Sequence, residues 1–292
     1  MDQLTFAFRN FSDKLIKGVK HPSTFKFYWQ TYVLNKLNKV APNIYIVSYP
    51  KCGRTWLRFI LQQYLQQQYP QLPQFENRFL LRLPQDMILK FEHDQGNWVP
   101  APPKVSQLSF NITKYTGKKV IFMVRDPRDV LISSWYHLRY RENIYQGSLS
   151  EFIRDDLVGI HKVVAFMNLW LDNRHVPADF LLISYEQFHA DSATHFRQIL
   201  EFMNIAVDDS AVAMATQSGS FREMKKVEIE QGSDEPWLRP GSTNSENSMK
   251  IRKGKIGGFK EELLTEDIAY LNSVIQTELS PLLPYHQIPK HD

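Results

Sequence analysis

Short apolar runs that alternate with helical patterns organise most of this chain. The apolar runs cover residues 44–48, 119–124 and 180–184. Each predicts a buried strand, because it is short, apolar and ends at a loop. Helical periodicity follows them over residues 55–68, 128–140 and 191–203. Strands that alternate with helices predict a parallel sheet covered by helices on both faces.

A further apolar run, 86–91, predicts another strand that ends near His93. We therefore expect a P-loop-like, three-layer α/β fold with a central parallel sheet flanked by helices. Such sheets hold ligands at the carboxyl ends of their strands. We expect one domain over residues 1–292. Within it, the polar segment 228–249 is either a lid or a disordered excursion.

Composition and charge narrow the class of protein. The 292 residues carry 35 Lys and Arg against 31 Asp and Glu, and this net charge of +4 suits an anionic ligand. No basic run is dense enough to predict nucleic-acid binding. The single cysteine excludes an internal disulfide framework. Without a signal-like or membrane-length apolar segment, we expect a soluble, cytoplasmic protein with no membrane partner.

The first chemically suggestive segment, SYPKCGRTWLRFI, spans residues 48–60. A strand here leads through Lys51, Gly53 and Thr55 into a helix, and this arrangement is typical of a phosphate-binding loop. A Walker loop places its lysine after the second glycine, whereas Lys51 precedes Gly53. ATP hydrolysis through that motif is therefore disfavoured.

The same loop contains Cys52 and Arg58 in the Cys-x5-Arg spacing of cysteine-dependent phosphatases. That family usually has His before the cysteine, Gly three places after it and Ser or Thr after the arginine. This chain has Lys51, Thr55 and Phe59 at those positions. A motif without its supporting groups is weak evidence, so the phosphatase is the weaker alternative. Cys52 is then a small residue of the loop.

Two further basic segments suggest a second phosphate site. Arg125 follows a strand directly, and Ser133 lies eight residues later, about two turns into a helix that we expect to begin near Pro127. Arginine can bind a phosphate through two parallel hydrogen bonds, to which a serine hydroxyl can add a third. The alternative is an Arg125 that pairs with Asp126 or Asp129.

The third segment, KIRKGKIGGF, spans residues 250–259. Arg252 and Lys253 precede Gly254 and Gly257, where backbone amides can approach an anion closely. Alone, such a run is usually a solvated loop. Three anion-binding segments in one chain favour a ligand with more than one phosphate.

These segments resemble the sulfotransferases that use 3'-phosphoadenosine 5'-phosphosulfate (PAPS) and release adenosine 3',5'-bisphosphate (PAP). YPKCGRTW is similar to their 5'-phosphosulfate loop, RDPRDVLISSWYH to their 3'-phosphate element and RKGKIGGFK to their C-terminal nucleotide motif. FLLISYEQF and GSFREMK resemble the two segments that line the adenine. The five stretches occur in the family order over residues 45–260.

The resemblance implies a nucleotide site with a part for each end of the ligand. The 5' end would be surrounded by Lys51, Cys52, Gly53, Arg54, Thr55 and Trp56, with Trp56 against the adenine. The adenine would also be lined by Tyr185 and Phe221. The 3'-phosphate would be held by Arg125, Ser133, Arg252, Lys253 and Gly254. No metal ion is implied.

The resemblance also implies His93 as the catalytic base, because imidazole can accept a proton near neutral pH. Lys51 would stabilise charge on the leaving oxygen, and Ser133 would hydrogen-bond Lys51 before substrate arrives. The chain departs from the animal and plant pattern at Cys52, Arg54 and Phe259. These departures resemble a bacterial branch, in which Arg54 would add a cation at the phosphosulfate.

The family's usual lysine stands two residues before its histidine, whereas Lys90 lies three residues before His93, so a catalytic role for Lys90 does not follow. The animal family's dimer motif is not recognisable near residues 265–274, which leaves the oligomeric state open.

Acidic residues suggest the acceptor. Two of them flank His93, and others lie in the predicted lid: Glu92, Asp94, Glu228, Glu230, Asp234 and Glu235. They favour a hydroxyl or amine of a polar, possibly cationic small molecule. The alternative is that these acids only solubilise a loop. A non-catalytic module for 3'-phosphoadenosine nucleotides also remains open, although it would not need Lys51 and His93 together.

Overall fold

The computed structural model describes residues 41–71, 80–98, 102–230 and 246–285. The elements described below lie in the compact unit Pro42–Asp292. The predicted single domain of residues 1–292 includes residues 1–40, which lie outside the described ranges, so it stays a prediction. In the described ranges, no helix has both the length and the apolar character needed to cross a membrane.

A five-stranded sheet lies at the centre of the described structure, in the order β2-β3-β1-β4-β5. Its strands are β1 (Ile44–Ser48), β2 (Leu80–Arg82), β3 (Ile88–Glu92), β4 (Lys119–Val124) and β5 (Asp179–Ser184). β1, β3, β4 and β5 are parallel, and β2 pairs antiparallel with β3 at one edge. The predicted parallel sheet is thus confirmed for four strands, whereas the three-residue β2 is too short to produce a periodic signal.

Helices cover both faces of the sheet. They are α1 (Arg54–Gln68), α2 (Ile112–Tyr115), α3 (Pro127–Tyr136), α4 (Leu149–Arg154), α5 (Ile160–Asp172), α6 (Tyr185–Ala190), α7 (Ser192–Phe202), α8 (Asp209–Ser218), α9 (Phe221–Glu230), α10 (Phe259–Glu262) and α11 (Thr265–Glu278). Short 3-10 turns lie at Pro84–Asp86, Asp94–Gly96, Val105–Gln107 and Glu246–Ser248.

Alternation along the strands produces two separate cores. Ile44 and Ile46 of β1 pack with apolar residues of α1, α7 and α8. Tyr45 and Val47 belong to the second core, with residues of α3, α5 and α11. Since successive strand side chains point to opposite faces, the two cores lie on opposite sides of the sheet. The three-layer α/β class is confirmed.

The structure changes the predicted bounds at two places that matter for the site. Helix α3 begins at Pro127 as predicted, but the pattern continues beyond Tyr136 as a π-helical turn, His137–Arg141. Helix α9 extends to Glu230, so the first three residues of the segment predicted as a loop are helical. Residues 231–245 of the predicted lid lie outside the described ranges.

Candidate active site

The loop after β1 has a backbone that demands a glycine. Lys51 and Gly53 both adopt left-handed conformations, with φ of 72° and 93°. A Cβ atom at Gly53 would lie 2.7 Å from Cδ2 of Tyr185, so a side chain there would meet the aromatic ring. Gly53 is also the N-cap of α1. The loop therefore leads directly into a helix N-terminus, where the first amides lack intrahelical partners and favour an anion.

Lys51 lies in the most cationic part of the site. The pKa of its ammonium group is lowered to about 7, chiefly by burial and further by the charges of Arg141, Arg125 and Arg252, while Glu228 opposes them. Cations contributed by three separate segments thus converge on one lysine. Such an arrangement is costly without a ligand and suits an anion with several negative charges.

Arg125 connects the first and third loops. Its guanidinium donates to the carbonyl of Lys51 at 3.3 Å and to that of Lys255 at 3.2 Å. It also lies over the Tyr185 ring, 4.4 Å from the centroid. Asp129 is 3.8 Å from Nη2 of Arg125, which is the outer limit of an ion pair. Arg125 is therefore held by two carbonyls and by a long ion pair with Asp129.

The acids beside Arg125 have other partners. Asp126 pairs with Arg128 at 2.7 Å. Asp129 accepts hydrogen bonds from the amides of Gly257 at 2.8 Å and Phe259 at 3.1 Å. The alternative in which Arg125 pairs with Asp126 is therefore wrong, whereas its pairing with Asp129 is present as a long ion pair of 3.8 Å. Asp129 instead fixes the glycine-containing loop to α3.

The third loop places two cations around one carboxylate. Arg252 and Lys253 each donate to Oε1 of Glu262 at 2.8 Å, and Tyr136 donates to Oε2 at 2.6 Å. Arg252 also lies 3.8 Å from the Tyr136 centroid. Hydrogen bonds from these three groups lower the pKa of Glu262 against the opposing effect of burial. Glu262, which sequence reasoning missed, orients both predicted phosphate ligands.

Gly254 is the second position where the site needs a glycine. It has a φ of 60°, and a Cβ atom would lie 2.3 Å from Cδ2 of Phe221. The structure thus brings Phe221, the first residue of α9, against the basic loop. Phe221 remains 40% exposed, so part of its ring is accessible to a ligand.

Glu228 fixes the segment that precedes the basic loop. Its buried carboxylate accepts from the amides of Lys250 at 2.7 Å and Ile251 at 2.9 Å. Arg141 lies 3.5 Å from Oε1 of Glu228. The sequence analysis interpreted Glu228 as an acid of the lid, whereas it is fully buried in α9. A single sequence gives no sign that this carboxylate binds backbone amides from another segment.

Two of the predicted adenine-lining aromatics, Trp56 and Tyr185, lie in one cluster. Trp56 lies 5.5 Å from Tyr185 and 4.6 Å from Phe188, in edge-to-face arrangements. Its Nε1 donates to the carbonyl of Gly219 at 2.7 Å. The indole of Trp56 is therefore fixed in orientation beside the ring that packs against Gly53.

His93 follows β3 directly and has a defined tautomer. Its Nδ1 lies 2.8 Å from the carbonyl oxygen of Ser48, and its Nε2 lies 2.7 Å from Nη2 of Arg54. A carbonyl only accepts and a guanidinium only donates. Nδ1 therefore carries the proton and Nε2 carries the lone pair, so the imidazole is neutral in this arrangement.

The acids that flank His93 are paired to one lysine. Lys114 lies 2.6 Å from Oε1 of Glu92 and 3.5 Å from Oδ1 of Asp94. Lys90 lies 3.6 Å from Oε2 of Glu92 and so points to this acid rather than to a ligand. The negative charges of Glu92 and Asp94 are thus compensated within the protein. They give no support to a cationic acceptor.

The phosphatase alternative fails on the environment of Cys52. This side chain is fully buried in the core formed with α3 and α5, and burial raises the pKa of its thiol. Arg58 lies over the ring of Phe91, which belongs to the core on the opposite face of the sheet. A buried, protonated thiol is not a nucleophile. Cys52 is therefore a buried residue of the loop.

Ser133 lies in α3 and is partly exposed. In the described part of the chain, its hydroxyl makes no hydrogen bond with Lys51, so the predicted contact is not present in the structure. Its place on α3 keeps it two turns after the helix start, as the sequence predicts.

A second histidine, missed by sequence reasoning, lies near the same lysine. His137 begins the π-helical turn, with Nε2 at 3.3 Å from Oε1 of Glu142 and its ring 5.4 Å from Trp98. Burial and the charge of Lys51 lower its pKa to about 4, against the effect of Glu142. His137 is thus a neutral hydrogen-bonding group. His137 lies within the helical pattern of residues 128–140, and that pattern does not indicate a contact with Glu142.

A family model described as "Sulfotransferase domain" matches residues 41–282. The chain belongs to the sulfotransferase family. The predicted resemblance to the PAPS-dependent sulfotransferases, and with it the prediction of an enzyme, is confirmed.

This sulfotransferase has relatives in plants and mammals. It is 24% identical to cytosolic sulfotransferase 17 of Arabidopsis thaliana, with 82% of this chain and 75% of the relative covered. It is 23% identical to the 3-beta-hydroxysteroid sulfotransferase of Cavia porcellus, with 82% and 84% covered.

Solved structures share the fold of this sulfotransferase. A mouse sulfotransferase, SULT7A1, complexed with PAP matches with a TM-score of 0.59 at 19% identity, over 86% of this chain and 90% of the other. Retinol dehydratase in complex with androsterone and inactive cofactor PAP matches with a TM-score of 0.58 at 17% identity, over 86% and 85%. At these identities the matches confirm the fold alone.

Proposed function

We propose that this sulfotransferase moves a sulfuryl group from PAPS to a hydroxyl or amine of a polar small molecule. The observation that carries the proposal is the loop after β1, where Lys51 and Gly53 lead into the N-terminus of α1 and Arg125 donates to the Lys51 carbonyl at 3.3 Å. A neutral His93 with an unprotonated Nε2 supplies the base. When bound, PAPS supplies an activated sulfuryl group and a good leaving group.

The residues present fit a nucleotide with phosphates at both ends. We assign Lys51, the start of α1 and Arg54 to the 5' end of PAPS. Tyr185 packs against Gly53 and Phe221 against Gly254, so a side chain at either glycine would displace an aromatic ring of the site. The 3'-phosphate is assigned to Arg125, Ser133, Arg252, Lys253 and Gly254. Trp56 and Tyr185 offer aromatic surface to the adenine.

Two side chains then perform the chemistry. His93 Nε2 accepts the proton that the acceptor loses as its oxygen or nitrogen bonds to sulfur. Lys51 neutralises the charge that develops on the leaving oxygen of the 5'-phosphate, so that PAP departs. A non-catalytic nucleotide-binding module has no need for this combination of a neutral base and a half-buried ammonium group. The transfer as proposed uses no metal ion.

The polar character of the acceptor is supported by His137 and Glu142. They form a polar pair within reach of the charge of Lys51. The cationic version of the proposal is weaker, because Lys114 compensates the acids that flank His93. The cationic version depends on Glu230 and on residues 234–235. Residues 234–235 lie outside the described ranges. Unchanged acceptor KM in Glu230→Gln with Asp234→Asn would contradict it.

The acceptor class and the compartment are also proposals. Retinol dehydratase has been solved with androsterone and with retinol, which are small molecules. Because this chain shares the fold of retinol dehydratase, we propose a small diffusible acceptor for it as well. Relatives named as cytosolic sulfotransferases support action in the cytoplasm.

Calorimetric binding of PAP, AMP and ADP tests the donor site. We expect a strong preference for PAP, because only PAP carries both a 3'-phosphate and a 5'-phosphate. Arg125→Ala removes one of the cations assigned to the 3'-phosphate and abolishes this preference. Arg174→Ala is the control, since Arg174 is exposed and contacts only a helix carbonyl in the described structure. Equal binding of the three nucleotides, or none, would overturn the proposal.

A further inference from the structure

Arg54 occupies the one nitrogen of His93 that could act as a base. Nε2 lies 2.7 Å from Nη2 of Arg54, and Nδ1 is committed to the carbonyl of Ser48. The imidazole has no other lone pair. A base whose lone pair already accepts a hydrogen bond from a guanidinium cannot accept a proton from a substrate until that bond breaks.

The position of Arg54 in the chain brings its guanidinium close to both parts of the site. It is the first residue of α1 and follows Gly53, so it lies at the helix N-terminus assigned to the phosphosulfate. Its side chain extends from there to His93, at the end of β3. Arg54 therefore joins the predicted donor loop directly to the predicted base.

We propose that Arg54 is a positioning residue that keeps His93 closed to acceptors until the sulfonate of PAPS draws the guanidinium away. This inference rests on the proposed function. An anionic sulfonate oxygen is a stronger partner for a guanidinium than a neutral imidazole nitrogen. Arrival of the donor therefore exposes the base when a sulfuryl group is present to be transferred.

PAP differs from PAPS by the absence of that sulfonate. Its 5'-phosphate ends where the sulfuryl group would begin, so it lacks the group assigned to Arg54. The contact between Arg54 and His93 then re-forms after transfer. The enzyme distinguishes donor from product at the base, and the acceptor meets a competent base in the donor complex alone.

A double-mutant cycle on nucleotide binding tests the coupling. Calorimetry without acceptor gives the ratio of the PAP to the PAPS dissociation constant in the parent, His93→Ala, Arg54→Thr and the double variant. In the parent, PAPS must break the contact with His93, whereas PAP does not. We expect His93→Ala to raise the ratio about 10-fold when Arg54 is present and to leave it unchanged in the Arg54→Thr background. Equal effects in both backgrounds would overturn the proposal.

Chemical modification gives an independent measurement on the nucleotide-free protein. Diethyl pyrocarbonate acylates an unprotonated imidazole nitrogen, and peptide mass spectrometry measures the rate at each histidine. We expect Arg54→Thr to raise the rate at His93 at least about 5-fold and Arg54→Lys, which keeps a donor, to raise it less. His175 is the internal control, because its side chain is exposed. An unchanged rate at His93 in Arg54→Thr would contradict the proposal.

The two proposals fail separately. If the parent protein binds PAP no more tightly than AMP or ADP, the donor assignment is contradicted, whether or not positions 54 and 93 are coupled. Normal PAP and PAPS binding with no coupling between positions 54 and 93 would leave the sulfotransferase site intact and remove only the role of Arg54. The modification experiment needs no nucleotide and reports on the contact itself.

Discussion

The donor end and the acceptor end of the site are built in different ways. At the donor end, Gly53 and Gly254 bring backbone against aromatic rings, and cations follow at fixed sequence positions. At the proposed acceptor end, the Ser48 carbonyl and the Arg54 guanidinium, which come from another segment, set the tautomer of His93, and His137 pairs with Glu142. The comparison teaches that local backbone shape defines nucleotide binding, whereas long-range side-chain contacts define reactivity and specificity.

Removal of the base gives the largest expected effect and separates the two ends. His93→Ala should lower turnover with PAPS by about 100- to 10,000-fold, which is the range for loss of a general base. PAP affinity should remain within about twofold, because the donor end is intact. Turnover is measured with an acceptor found by screening, and His175→Ala is the control. Unaltered turnover in His93→Ala would favour the non-catalytic module.

A glycine pair tests the role of backbone shape at the donor end. Gly254 and Gly257 have φ of 60° and 71°, so alanine is strained at both. A Cβ at Gly254 meets Phe221 at 2.3 Å, whereas nothing lies within 4 Å of one at Gly257. We expect Gly254→Ala to weaken PAP binding about 10-fold more than Gly257→Ala, as measured by calorimetry. Equal effects would show that strain alone matters and that the Phe221 contact does not.

The donor end could be predicted from the sequence because its parts are local. Strand, loop and helix follow one another at residues 44–68 and 119–136, so Lys51 and Arg125 could be assigned to strand ends from spacing alone. The edge strand β2 could not be predicted, because three residues have no recognisable period.

The contacts that tune the site could not be predicted, because they join distant positions. Glu228 binds amides 22 and 23 residues later, and Arg54 reaches His93 across 39 residues. Both charged residues looked like surface or phosphate-binding groups. No periodicity or spacing in one sequence reports a pairing between separate elements.

The ionisation of Lys51 gives a pH test of the donor end. Its pKa is lowered to about 7, chiefly by burial, so the nucleotide-free enzyme loses this proton as the pH rises above 7. Anion binding favours the charged form, and PAP affinity should therefore fall by about 10-fold between about pH 7 and pH 8.5. The Lys51→Arg variant stays charged over this range, so its PAP affinity contains no contribution from loss of a lysine proton. The ionisation of PAP itself affects both proteins equally.

Comparison of the two pH profiles isolates the lysine. The difference between parent and Lys51→Arg should be small near pH 6 and should grow steadily above pH 7. Parallel profiles over the whole range would mean that Lys51 keeps its proton despite the surrounding arginines.

The smallest expected effect concerns the acceptor end alone. His137→Phe replaces a neutral polar ring by an apolar ring of similar size and removes the hydrogen bond to Glu142. PAP affinity should stay within about twofold, while the ratio of kcat/KM for polar over apolar acceptors should fall by about 3- to 10-fold, the usual effect of one lost hydrogen bond. The control is Glu142→Gln, which keeps a hydrogen-bond acceptor for His137 and should leave the ratio nearly unchanged. If His137→Phe weakens PAP binding instead, then His137 belongs to the donor end and the division between the two ends is wrong.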